Sequence, residues 1–232
     1  NTGMNRLGFS TIGETASAVK NLRVLGVFTH LSSADGDDAT DRRITEAQIK
    51  NFMEAELVVK NEKDVPFYAE NSAALIKYGR FFDGARIGIA LYGVNPVSGD
   101  KTPLLPVMTF RAAVIAINTV KKGDFIGYSR GYRAKKDMRV AIISTGYADG
   151  LPRALSNKGM IFCNGQFLKI VGKVSMDSVA VDAGDADVKI MDEVVVFGDE
   201  ITVTDVANRA DTLPYEILTG VSERVKRVYK NS

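Results

Sequence analysis

The stretch Asn1-Thr2-Gly3-Met4-Asn5-Arg6-Leu7-Gly8-Phe9 opens the chain, and we interpret it as one strand of a barrel whose partner strands should follow along the sequence. After it, Thr11 and Glu14 have the spacing of a capping box, which predicts a helix that continues to about Leu22. The apolar run at residues 24–29 predicts a buried strand. This order of strand, helix and strand is typical of parallel βα units.

The alternation continues to about residue 103. The patterns predict two more helices and two more strands: helices at 44–60 and 72–78, and strands at 67–69 and 85–92. Only about four strands are thus present, which is half of an eight-stranded barrel, and half a barrel leaves two open edges. We therefore expect residues 1–103 to form a partial barrel domain of the α/β class, the C-terminal half of a TIM-type (β/α)8 barrel.

Residues 104–232 indicate a β-rich second domain. Strands are predicted at 107–120, 138–144, 160–163, 166–171, 193–197 and 201–203, followed by a short helix at 204–209. The pair Asn164-Gly165 lies between two apolar runs and is a strong signal for a two-residue type I′ hairpin.

Composition excludes several classes of protein. The chain has 232 residues, 45% of them hydrophobic, which is ample for one or two domains with real cores. With 30 basic and 28 acidic side chains, its charge favours neither nucleic acid nor an anionic membrane. A single cysteine excludes an internal disulfide. One cysteine and one histidine are too few for a zinc site, so no metal is expected. No apolar run approaches the roughly 20 residues of a membrane span, and we expect a cytoplasmic protein.

Several segments resemble those of alanine racemases, in the family's order and over nearly the whole chain. The opening stretch is similar to the family pattern [DN]-[TS]-G-M-x-R-L-G. The other segments are Phe28-Thr29-His30, Asn71-Ser72-Ala73, Arg86-Ile87-Gly88-Ile89-Ala90-Leu91-Tyr92-Gly93, Gly146-Tyr147-Ala148-Asp149-Gly150 and Val171-Gly172-Lys173-Val174-Ser175-Met176-Asp177.

The resemblance implies the catalytic groups. In this family pyridoxal 5′-phosphate acidifies Cα of the amino acid, and two bases on opposite faces remove and return the proton. One base is implied to be Tyr128, which would reach across a dimer interface into the partner's site. His30 and Arg86 would tune that phenol. Arg86 would also face the pyridine nitrogen, and because a guanidinium only donates, the nitrogen would stay unprotonated.

The resemblance also implies binding groups. Ser72, the backbone N–H groups of Gly88 and Ile89, and the phenol of Tyr215 would hold the cofactor phosphate. The substrate carboxylate would bind Arg6 and the backbone N–H of Met176, the latter supplied by the partner subunit. Tyr147 would line the entrance together with Tyr215.

The implied function is racemisation of L- and D-alanine by a homodimer with shared active sites, which supplies D-alanine for the cell wall. A serine or broad-specificity racemase is an alternative, because a pocket that accepts a methyl group excludes a hydroxyl poorly. The resemblance places the family's cofactor lysine upstream of Asn1, and no lysine of this chain lies in a similar segment. A non-catalytic remnant that only binds the cofactor is therefore a further alternative.

Overall fold

The structure, a computed structural model, describes residues 23–60 and 64–230. The chain divides into two units, Asn1–Leu105 and Pro106–Ser232. Arg6, the opening stretch 1–9 and the helix predicted from Thr11 lie outside the described residues.

The first unit contains two short parallel strands and two helices in its described part. Its elements are β1 (Val27–Phe28), α1 (Ala39–Lys60), β2 (Phe67–Tyr68), α2 (Ser72–Tyr78) and a 3₁₀ helix (Ile89–Tyr92). Val27 pairs with Phe67 and Phe28 with Tyr68, and an isolated parallel bridge joins Tyr68 to Gly84. The predicted βα alternation is confirmed for these elements, although the strands are shorter than predicted.

Helix α1 supplies much of the core of this unit because its apolar side chains recur every three or four residues. Its buried residues are Thr45, Ile49, Phe52, Ala55 and Val59. The ring of Phe52 lies 5.2 Å from that of Phe67 and 5.0 Å from that of Phe82, both in tilted or edge-on geometry. The helix therefore packs on β2 and on the segment that follows α2.

Helix α2 begins and ends where the sequence predicted. Asn71 caps it, since the side-chain oxygen accepts a hydrogen bond from the Ala74 N–H at 2.9 Å. The amide nitrogen of the same side chain donates to Leu31 O at 3.1 Å, which ties the helix start to the chain after β1.

The strand predicted at 85–92 is wrong. Only Gly84 bridges to β2, and the chain then turns into the 3₁₀ helix, which ends at Gly93 in the left-handed region (φ 79°). The physical reason is a side chain: Ser72 Oγ accepts hydrogen bonds from the N–H groups of Gly88 and Ala90. These N–H groups point at α2 instead of at a neighbouring strand.

The second unit is built on a closed barrel of six strands in the order β10-β3-β6-β9-β8-β7. Its elements are β3 (Phe110–Val120), β4 (Phe125–Ile126), a 3₁₀ turn (Tyr128–Arg130), β5 (Tyr132–Arg133), β6 (Met138–Ile143), a 3₁₀ turn (Arg153–Leu155), β7 (Met160–Cys163), β8 (Gln166–Ile170), β9 (Val179–Asp182), β10 (Glu193–Phe197), α3 (Val203–Ala210) and α4 (Pro214–Gly220).

Each of the six barrel strands contributes an aliphatic residue with no exposed surface. These residues are Val114, Ile143, Ile161, Ile170, Val181 and Val194. Closure pairs every barrel strand with two neighbours, so the barrel has no open edge. The predicted β-rich character is confirmed, and closure is a feature that the sequence patterns did not reveal.

The hairpin predicted at Asn164-Gly165 is confirmed. Both residues have positive φ, 47° and 80°, as a type I′ turn requires, and β7 and β8 pair antiparallel on either side of it.

The strand predicted at 201–203 is wrong, because Thr202 caps α3 instead. Thr202 Oγ1 accepts from the Asp205 N–H at 3.0 Å, and Asp205 accepts from the Thr202 N–H at 3.1 Å. This capping box overrides the strand preference of the β-branched residues on either side of Thr202. Within the described ranges, no helix is long and apolar enough to cross a bilayer.

Candidate active site

Arg86 and His30, both predicted as catalytic residues, form a pair in the first unit. Arg86 Nη2 lies 3.1 Å from His30 Nδ1, Nη1 donates to Tyr68 O at 3.2 Å, and the guanidinium stacks 4.8 Å above the ring of Phe28. Because a guanidinium can only donate, His30 Nδ1 must accept, which selects the tautomer with its proton on Nε2. Both side chains of the pair therefore carry N–H groups: the guanidinium of Arg86 and Nε2 of His30.

Glu70 lies next to Arg86. Burial lowers the pKa of the Arg86 guanidinium from its ordinary value, while the negative charge of Glu70 acts in the opposite direction. The Glu70 side chain is fully buried and accepts hydrogen bonds from the N–H groups of Phe81 and Phe82. Its backbone oxygen accepts from the Arg86 N–H at 2.7 Å. The result is a half-buried cation that remains protonated near neutral pH.

Ser72 collects backbone donors around its hydroxyl group. It is the first residue of α2 and is 96% buried, and its Oγ accepts from Gly88 N at 3.1 Å and from Ala90 N at 3.3 Å. The predicted residues Ser72, Gly88 and Ile89 therefore lie together. Sequence reasoning missed the Ala90 N–H, because only the 3₁₀ turn directs it towards Ser72.

Tyr128 stands on a strained loop of the barrel unit. Its side chain is 71% exposed, and both Ser129 (φ 54°) and Arg130 (φ 55°) adopt the left-handed region that non-glycine residues rarely visit. Gly127 (φ 76°) precedes it, and a Cβ there would lie 3.1 Å from Lys173 N. The loop is thus pressed against the segment that leads to Met176.

Asn157 connects these two segments, and sequence reasoning missed it. Its side-chain nitrogen donates to Gly131 O at 3.0 Å, and its side-chain oxygen accepts from Gly172 N at 2.7 Å. One amide group therefore holds the end of the Tyr128 loop against the glycine that begins the Met176 segment.

Tyr147 and Met176 lie on two loops in direct contact. Tyr147 N donates to Ser175 O and Ala148 N donates to Met176 O, both at 3.0 Å. The approach requires glycine at position 146, since a Cβ there would lie 2.3 Å from Met176 O. The side chains of Tyr147 and Met176 are 47% and 48% exposed, so both face outwards from the barrel.

The remaining predicted residue of this unit, Tyr215, lies in the first turn of α4 and is half exposed. Its carbonyl accepts from Thr219 Oγ1 at 2.8 Å. In the described part of the chain, no three histidine, cysteine or acidic side chains lie close enough to hold a metal ion.

Family models match the chain in both of its units. The model "Alanine racemase, N-terminal domain" matches residues 1–96, and "Alanine racemase, C-terminal domain" matches residues 107–229. The chain belongs to the alanine racemase family. The resemblance predicted from the sequence segments is confirmed.

Known members of the alanine racemase family agree with this assignment. An alanine racemase of Halothermothrix orenii is 36% identical over 99% of this chain and 64% of its own length. Among solved structures, alanine racemase from a D-cycloserine-producing Streptomyces lavendulae has a TM-score of 0.90 at 30% identity, covering 100% of this chain and 64% of that one. An alanine racemase from Bartonella henselae, solved with covalently bound pyridoxal phosphate, has a TM-score of 0.85 at 31% identity and covers 98% and 63%. The chain thus spans just under two thirds of the length of these relatives.

Proposed function

We propose that the chain provides catalytic and binding groups of an alanine racemase that uses pyridoxal 5′-phosphate to interconvert L- and D-alanine. The observation that carries the proposal is the grouping in the first unit, where Arg86 holds His30 at 3.1 Å and Ser72 gathers two backbone N–H groups. These residues lie in segments of a chain that belongs to the family.

The donor set fits the cofactor. Ser72 Oγ accepts from the N–H groups of Gly88 and Ala90, which leaves its own O–H to donate to a phosphate dianion. The Ile89 N–H would be a further donor, and the Gly88 N–H would be shared between Ser72 and the phosphate. Space for such a group exists at Gly88, where a Cβ would meet no heavy atom within 4 Å. When bound, pyridoxal phosphate supplies an electron-withdrawing ring that acidifies Cα of the amino acid.

Arg86 sets how strongly that ring withdraws electrons. A guanidinium held by Tyr68 O and His30 could only donate towards a pyridine nitrogen, so that nitrogen would stay unprotonated and the ring would withdraw electrons moderately. A moderate electron sink favours simple return of the proton over decarboxylation or transamination. His30 keeps Arg86 in place, and the two side chains together tune the Tyr128 phenol.

Tyr128 is the base that removes or returns the proton on one face of Cα, and by the family's pattern it acts in the site of the partner subunit. Its exposure suits this role, because the phenol is free to enter another molecule. The substrate carboxylate binds Arg6 and the Met176 N–H, the latter supplied by the partner subunit, and Tyr147 and Tyr215 limit the side chain to about the size of a methyl group. Tyr215 also donates to the cofactor phosphate.

We infer further that residues 1–103 are arranged as the C-terminal half of a TIM-type barrel and that residues 104–232 form the second domain. The enzyme would work as a cytoplasmic homodimer with small amino acids as substrates, and its product D-alanine would enter the cell wall.

The proposal is tested on the full-length protein that carries this sequence. The protein is incubated with pyridoxal phosphate, assayed with L- and D-alanine and with L-serine, then reduced with borohydride, and any lysine adduct is mapped by mass spectrometry. We expect racemisation faster with alanine than with serine and a stoichiometric adduct on one lysine. Cofactor binding without racemisation would contradict the proposal and leave a non-catalytic binding protein; faster turnover of serine would overturn the assigned substrate.

A further inference from the structure

Arg224 joins the two loops that carry Tyr147 and Met176. Its Nε donates to Asp149 Oδ1 at 2.7 Å, and its Nη2 donates to Asp177 Oδ1 at 2.6 Å. Asp149 belongs to the Tyr147 loop, and Asp177 directly follows Met176. One guanidinium therefore bridges the two loops from two separate nitrogens. We call this arrangement of Arg224 between Asp149 and Asp177 the Arg224 bracket.

Further hydrogen bonds hold Asp149 and the turn that carries Arg224. Asp149 uses its other oxygen to accept from Gly146 N at 2.8 Å, and its backbone oxygen accepts from Ser222 N at 3.1 Å. On the other side, Arg227 donates to the carbonyl oxygens of Val221, Ser222 and Val225, which holds the turn that presents Arg224. The guanidinium is thus carried on a braced turn.

The directions in which the pKa values of Asp149 and Arg224 are shifted agree with the Arg224 bracket. Burial alone would raise the pKa of Asp149, but the hydrogen bonds from Arg224 and from the Gly146 N–H outweigh it and hold the pKa below its ordinary value. The pKa of Arg224 is raised by its hydrogen bonds to Asp149 and Asp177. Both partners are therefore charged at neutral pH.

We propose that Arg224 is a positioning residue, which fixes the Met176 N–H relative to Tyr147 and so shapes the site for the substrate carboxylate. The inference rests on the proposed function, since it deepens the role of the same loops. Arg224 is 47% exposed, and exposed ion pairs of this kind generally contribute little to stability. A planar fork with two donors suits a geometric bracket, whereas a lysine presents a single charge and cannot reproduce it.

The test compares Arg224→Gln and Arg224→Lys with a matched control, Arg111→Gln, in the full-length protein loaded with pyridoxal phosphate. Arg111 pairs with Glu193 at 2.6 Å and is 49% exposed, so it resembles Arg224, but it lies on strand β3 and its ion pair is with strand β10, not with either loop. We expect both Arg224 variants to raise KM for alanine about tenfold while kcat changes less than threefold. The control should change neither constant.

Two further readouts separate positioning from a general loss of structure. Binding of propionate, which is the alanine skeleton without its amine, should weaken about tenfold in the Arg224 variants, and amide exchange at the Tyr147 and Ala148 N–H groups should accelerate. The melting temperature should stay close to that of Arg111→Gln.

Unchanged KM, propionate binding and amide exchange in an enzyme that still racemises alanine would overturn the role of Arg224 and leave the proposed function standing. A parent protein that binds the cofactor but does not racemise alanine would overturn the proposed function, and the substrate role of Arg224 with it.

Discussion

The first unit and the barrel unit hold their polar groups in opposite ways. In the first unit, the groups are at least half-buried or paired with each other: Arg86 with His30, and Ser72 with two backbone N–H groups. In the barrel unit, Tyr128 is 71% and Tyr147 47% exposed, and their loops are held by other side chains. A closed barrel has no free edge, so its loops can carry exposed functional groups on a rigid frame.

The two units also differ in the extent of their strand pairing and in the side chains that form their cores. Strands β1 and β2 are two residues long, and the described part of the first unit packs on helix α1 and its aromatic cluster. The barrel pairs six strands in a ring around six fully buried aliphatic side chains. Chemistry in the barrel unit should therefore be separable from stability, because the functional side chains lie outside the core.

Replacing Tyr128 with phenylalanine tests that separation and should have the largest effect. Loss of one proton-transfer group is expected to lower kcat for L- to D-alanine by at least about 10²-fold. The free energy of unfolding should hardly change, because the hydroxyl group lies on a side chain that is 71% exposed. Steady-state kinetics and denaturant unfolding measure the two quantities; a kcat within tenfold of the parent value would contradict the assigned role.

Truncation of a side chain in the barrel core should have the second-largest effect. It should lower the free energy of unfolding, which Tyr128→Phe should leave almost unchanged. Ile143→Ala removes a side chain with no exposed surface and should lower the free energy of unfolding by about 2–5 kcal/mol. Ile115→Ala, on the neighbouring strand, is the control: Ile115 is 49% exposed and its loss should cost less than about 1 kcal/mol. Equal costs for the two variants in urea unfolding would mean that the ring of buried residues is not the stabilising core.

A smaller effect is expected at the cap of α3. Thr202→Ala removes the hydroxyl group that accepts from the Asp205 N–H, which should cost about 1 kcal/mol. Thr204→Ala, two residues further on the exposed side of the same helix, should be neutral or slightly stabilising because alanine has the higher helix propensity. Thermal unfolding compares them, and a larger loss for Thr204→Ala would refute the capping box.

The smallest effect concerns pH. Because the folded-state pKa of Asp149 lies below its ordinary value, the carboxylate stabilises the fold fully above about pH 4–5, and this contribution is lost as pH falls through the lowered pKa. Asp149→Asn should therefore reduce the difference in stability between pH 6 and pH 3. Unfolding curves at both pH values measure it; an unchanged difference would show that the Arg224 bracket does not form in solution.

Local signals in the sequence predicted the elements whose cause is local. Helix α2 was predicted from the pattern at 72–78, and its Asn71 cap is a local contact that agrees with it. The hairpin follows from Asn164-Gly165, which accepts positive φ at both positions. His30 and Arg86 were singled out only through the family resemblance, and their pairing was not predicted, because 56 residues separate them.

Features whose cause is distant were not predictable. The 85–92 segment has a strand-like apolar pattern, but Ser72 takes its N–H groups from 16 and 18 residues away. Barrel closure depends on strand β10 pairing with β3 and β7. Arg224 carries no local motif, since its partners Asp149 and Asp177 lie 75 and 47 residues upstream.

We propose that these residues serve proton exchange at Cα of alanine. The most direct measurement is the loss of the Cα proton signal of L- and D-alanine by NMR in D₂O, with the full-length protein and pyridoxal phosphate. We predict that deuterium enters both enantiomers together with racemisation and that Tyr128→Phe slows this by at least about 10²-fold. A cofactor-loaded protein that leaves the Cα proton of alanine in place would contradict a role of these residues in proton exchange.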